Sequence, residues 1–167
     1  MNVILPAMSM KADAYVIKNP LEITNQYTKK NAEDAVGTIG PIAESLFDDL
    51  KSSLRGYDFT SVSTKELTKI GAELYHNDLI DLYMYDFLSL GNMAFDERGH
   101  KAEVDVKFNA VAMFNQLLEE RQEIGGSESA SRFHEITNSL VRVNHLLGAL
   151  SFFANTNQNG LEIDIEA

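Results

Sequence analysis

The sequence predicts an all-α domain, a small bundle of about five helices, and three observations carry that expectation. Residues 101 to 122 are apolar around most of a helical circumference. Val104, Phe108, Val111, Phe114 and Leu118 form one stripe, and Val106, Ala110, Met113 and Leu117 form a second on the opposite side. Residues 130 to 154 carry Phe133, Ile136, Leu140, Val143, Leu147 and Leu150 on one face, a second long amphipathic helix. Ser63-Thr64-Lys65-Glu66, just ahead of Leu67, Ile70, Gly71 and Leu74, has the reciprocal serine and glutamate of a capping box. A helix with two apolar sides needs neighbours on both, so the 101–122 stretch is expected at the centre of the bundle.

Taken along the chain, residues 1 to 36 stand apart from a helical domain at 37 to 167. They contain Pro6, Pro20 and scattered Thr and Asn, without a sustained helical period, and read as extended or poorly ordered. Val3-Ile4-Leu5 and Tyr15-Val16-Ile17 have strand composition. The first helix opens at Gly40-Pro41, where proline suits the first helical position. It runs through Ile42, Leu46, Phe47, Leu50 and Leu54 to a stop at Gly56. The capping box starts the second. His76-Asn77-Asp78 breaks it and caps a third from Leu79 to about Gly91, so the two form a tight hairpin. Polar residues 92 to 100 make a loop before the 101–122 helix, and Ile124 to Ser129 connects it to the last one. In the tail, Leu161, Ile163 and Ile165 alternate with Glu162, Asp164 and Glu166, the period of a short edge strand whose mate would come from the N-terminal pieces.

Composition bounds the function. The chain has 167 residues, 44% of them hydrophobic and 23% charged, which suits one globular domain with a core of its own. The absence of cysteine excludes disulfides, thiol catalysis and thiolate metal sites. A net charge of −11 makes binding to nucleic acid or an anionic membrane unfavourable and favours a basic partner. Pro6 and Lys11 cut the N-terminal apolar run short of a signal segment, and no stretch approaches a membrane span, so a soluble, cytoplasmic protein is the expectation.

Few motifs point to chemistry. Asn155, Asn157, Asn159, Gly160 and Glu166 fall at positions 1, 3, 5, 6 and 12 of a calcium-loop template, a spacing that resembles an EF-hand and would wrap oxygen ligands around a hard cation. The first three ligand positions lack carboxylates, and position 8 is the charged Glu162, so any calcium affinity is expected to be weak. His134-Glu135 begins a zinc motif but meets Asn138 at the second ligand position. His145 lies about 16 Å further along the same helix, too far to share a metal. Glu-x-x-His, Gly-x-Ser-x-Gly and P-loop patterns are missing from the sequence. His134, Glu135 and His145 are the residues an enzymatic reading would use.

The positive signal is surplus apolar surface. A helix of a dozen residues cannot hide all of Leu79, Ile80, Leu82, Tyr83, Met84, Tyr85 and Phe87 on one side. Leu79, Leu82 and Tyr85, together with Val141 and Phe152 on the last helix, lie off the main stripes. The sequence therefore points to a non-enzymatic interaction module, an adaptor, regulator or secretion-associated factor. Its helical surface would bind a protein or a second copy, with neither cofactor nor small-molecule substrate implied. A weak calcium-binding protein is the alternative.

Overall fold

The computed structural model describes residues 9–40, 42–124 and 130–158. Among these, six helices and one two-stranded antiparallel ribbon form a mainly helical domain. The helices are α1 (Ala32–Ile39), α2 (Glu44–Ser53), α3 (Thr64–His76), α4 (Leu82–Leu90), α5 (Ala110–Ile124) and α6 (Ala130–Gln158), and the strands are β1 (Val62–Ser63) and β2 (Lys107–Phe108). The hub of the bundle is α6, which packs against α1, α2, α4 and α5. Its residues Val143, Leu147, Leu150 and Phe153 are essentially inaccessible and meet Phe114, Leu118 and Phe47 in one continuous core.

The capping box forms as the sequence predicts. Ser63 Oγ accepts from the Glu66 amide at 3.1 Å, and Glu66 Oε1 accepts from the Ser63 amide at 3.1 Å. Lys107 on β2 pairs with the same Glu66, so the ribbon is clamped to the start of α3. The α3–α4 hairpin is tight because Gly71 faces Leu88 without a Cβ of its own, and Gly91, at φ +53, ends α4 against Thr64. There any Cβ would lie 2.3 Å from Thr64 Oγ1. That hydroxyl accepts from the Asn92 amide at 3.0 Å.

Several boundaries differ from the expected ones, each for a local reason. The stretch expected as a helix from residue 101 is non-helical up to Asn109. Glu103 takes a left-handed φ of +52, and Lys107–Phe108 is drawn into pairing with Val62–Ser63. Helix α5 then starts where Asn109 Oδ1 accepts from the Ala112 amide at 3.0 Å, an N-cap. From Ala110 to Asn115 all six residues are buried, so apolar cover on every side holds for these turns of α5 and not for Val104 or Val106. The third predicted helix begins at Leu82, because the capping carboxylate is Asp81, accepting from the Met84 amide at 3.0 Å. The first predicted helix begins at Glu44, and α6 continues past residue 154 to Gln158. An additional helix, α1, lies partly within residues 1 to 36. Asn31 caps it by accepting from the Asp34 amide, and Gly40, at φ +88, terminates it.

Residues 9 to 31 form no helix and lie as an extended strap over the bundle. Ala12 bridges Phe95, and the Tyr15 amide donates to Asn92 O at 2.8 Å. Along α5, the Gln116 side-chain amide clasps the strap backbone, donating to Val16 O at 2.9 Å and accepting from the Lys18 amide at 2.8 Å. Asn109 Nδ2 donates to Pro20 O at 3.0 Å and Glu22 O at 2.6 Å. The second flank of α5 is thus covered by extended chain rather than by another helix. Val3-Ile4-Leu5 and the alternating tail at 161–166 lie outside the described residues, so the ribbon seen here is an internal one. No helix among the described residues is long and apolar enough to cross a membrane.

Candidate functional sites

The outer arc of α4 is unusually apolar. Residues 82, 83, 86 and 90 share one side of a 3.6-residue helix, and three of the four are Leu82, Tyr83 and Leu90, exposed by 54%, 47% and 36%. Asp86 is the only charge on that arc. At the hairpin end, the exposed Tyr75 stacks on Tyr85 with ring centroids 5.5 Å apart, extending the apolar surface from α4 onto α3. The position of α4 is set by Asp81, which both caps the helix and pairs with Arg142 of α6. Burial pushes the Asp81 carboxyl up, but the Met84 amide and the Arg142 guanidinium outweigh it and hold it below the usual carboxylate range.

Of the five residues expected at a partner surface, Leu82 is exposed. Leu79, Tyr85, Val141 and Phe152 are partly buried and pack against the core. Tyr83, not among those five, also faces solvent. A helix of nine residues has too few turns for its composition to choose between adjacent arcs, and the choice is made by the fit of Met84 and Leu88 into the core.

A second feature is a cavity of about 470 Å³ between the strap, the 58–60 turn, the first turn of α5 and α6. Phe59, Val111, Leu147 and Phe152 give it apolar walls, and Asn144, Ser151, Lys29 and Asp58 bring polar groups to it. The strap reaches α6 at Gly148 with Lys29 Nζ 3.0 Å from His145 Nδ1 and the Tyr27 ring edge-on to His145 at 4.9 Å between centroids. Burial first, and the Lys29 charge second, push the His145 imidazole below its ordinary pKa. Sequence reading passed over this site because its members come from four separate segments. The local signals were the Lys29-Lys30 pair in a polar leader and a glycine within a helical pattern.

The residues singled out for chemistry are not gathered. His134 and Glu135 are exposed on α6, whereas His145 lines a separate recess of about 260 Å³ with Thr38, Leu79 and Arg142. No group of three or more His, Asp or Glu among the described residues is placed to hold a metal ion. For the calcium-loop template, Asn155 and Asn157 sit in the helical backbone of α6, and Asn159, Gly160 and Glu166 lie outside the described residues. Compared with family models, with curated proteins and with solved structures, the chain matches none.

Proposed function

We propose that the chain is a protein-interaction module that docks a partner through the outer arc of α4. The observation that carries this reading is the exposure of Leu82, Tyr83 and Leu90 side by side on one short helix, with the Tyr75–Tyr85 stack continuing the surface. Isolated exposed apolar residues are ordinary, but a contiguous set with one charge among it is the composition of an interface centre. Asp86, Asp78 and the overall charge of −11 favour a partner whose apolar face is flanked by lysine or arginine, such as an amphipathic helix with basic edges. A binding role is the reading proposed, and it is supported by His134 and Glu135 lying on open surface, outside the recess that holds His145.

A photoreactive residue introduced at position 82 tests the docking surface in an extract of the source cells. A discrete adduct with another protein, diminished by Tyr83→Asp and Leu90→Asp, is the expected result. An adduct with a second copy of the chain would replace the heterologous partner by self-association, and unmodified monomer alone would remove the α4 face from consideration.

A further inference from the structure

The cavity beneath the strap has the features of a ligand site, and it is separate from the α4 face. Its volume of about 470 Å³ lies in the range of pockets that enclose small organic molecules. It has walls on four sides, three of them regular or tightly turned elements. Asp58 Oδ1 braces the 58–60 turn by accepting from the Thr60 amide at 2.9 Å and the Thr60 hydroxyl at 2.6 Å.

The polar groups are specific. Asn144 is only 3% exposed, and its Nδ2 donates to Phe114 O at 3.0 Å and Leu140 O at 2.9 Å. Those two bonds use both amide hydrogens and fix the orientation of the group, which leaves Oδ1 as its unused acceptor. Ser151, about two turns further along α6, has a buried Oγ with no hydrogen-bond partner. The charges are one cation, Lys29, and one carboxylate, Asp58, whose Oδ1 is already occupied by Thr60. The Lys29 ammonium has three donors, one of which is directed at His145. His145 beside it stays neutral, held so by burial and by Lys29 itself.

From this arrangement we propose that the cavity binds a small amphipathic monocarboxylate, its head group on Lys29 and its hydrocarbon body against Phe59, Val111, Leu147 and Phe152. A single cation neutralises a singly charged head group and leaves a multiply charged anion only partly compensated beside Asp58. Polar residues are numerous around the cavity, but most of the surface lining it is apolar, which suits an alkyl or aryl body. A hydroxyl or amide N–H on that body would find Asn144 Oδ1. Because the strap supplies Lys29 and one wall, an occupied cavity ties residues 23 to 29 to α6.

Titration calorimetry of the whole chain with decanoate, set against decyltrimethylammonium of the same chain length, tests the proposal. Saturable binding of one decanoate per chain and none of the cation is the expected result. Lys29→Met, on the surface strap, should weaken decanoate by about tenfold through loss of one charged hydrogen bond. Ser151→Phe, which fills the cavity from α6, should abolish binding while circular dichroism reports an unchanged helix content. If that variant fails to fold, Lys29→Met decides. The proposal is overturned by absent or unsaturable binding, by equal binding of the cation, or by binding that Leu82→Asp removes and Ser151→Phe leaves intact. That last result would mean that the ligand was coating the α4 face.

Discussion

The backbone carbonyl of Tyr27 rests directly on Gly148, at a place where a Cβ on α6 would lie 2.0 Å from the Tyr27 oxygen. Glycine inside a helix normally costs about 1 kcal/mol relative to alanine, so on propensity alone Gly148→Ala would stabilise α6. Here the obstruction is backbone, which cannot rotate away, and the strap must lift instead. Gly148→Ala is therefore expected to destabilise the protein by about 2 kcal/mol, as overpacked sites do. Trypsin should also cut faster after Lys18, Lys29 and Lys30. Urea melts and limited proteolysis check both effects, and a stabilised variant with an unchanged digestion pattern would show that the strap does not bear on α6.

That contact explains which parts of the molecule were legible in the sequence. The α3 start was, because Ser63 and Glu66 are three residues apart and their bonds close locally. So was the α4 stop at Gly91, and so were the two long apolar patterns of α5 and α6. The strap was not, because its bonds run from Tyr15, Val16 and Lys18 to side chains about a hundred positions away, and nothing in a polar leader announces them. Val104, Val106 and Phe108 fit a helical wheel, yet Glu103 in a left-handed conformation and the cap at Asn109 end that possibility. Asn109 itself was readable as a cap ahead of Ala110-Val111-Ala112. Leu82 was legible as surplus apolar surface, whereas the placement of Tyr83 and the existence of the cavity depend on packing between segments distant in sequence.

His145 gives the strap an acid-sensitive anchor. Its imidazole titrates below the ordinary value of 6.5 because burial and the Lys29 ammonium disfavour its charged form. A base whose folded pKa is depressed binds fewer protons folded than unfolded. Its contribution to stability is therefore complete above pH 6.5 and is lost as the pH falls through the folded value. Proton NMR of the imidazole should place the midpoint below 6.5, and Lys29→Met should move it upward by removing the neighbouring charge. A midpoint unchanged by that substitution would mean that Lys29 and His145 are not in contact in solution.

Tyr15 and Glu120 supply the complementary pH limits at the other end of the strap. The Tyr15 hydroxyl donates to Glu120, and burial together with that carboxylate pushes the phenol up to about 12. The same hydrogen bond, aided by Gln116 and Lys18 and opposed by burial, holds the Glu120 carboxyl below its usual range. For the raised phenol, stability is fully present below its ordinary value of 10.0 and is lost as the pH rises through about 12. For the depressed carboxyl, stability is fully present above its ordinary value of 4.5 and is lost as the pH falls through the folded value. Tyr15→Phe removes the shared bond, so it should cost about 1 kcal/mol at neutral pH and flatten the stability profile at both extremes. Urea melts at acid, neutral and alkaline pH measure this directly. A Tyr15→Phe profile parallel to that of the unmodified chain would show that the strap is anchored on α5 by Gln116 and Asn109 without this pair.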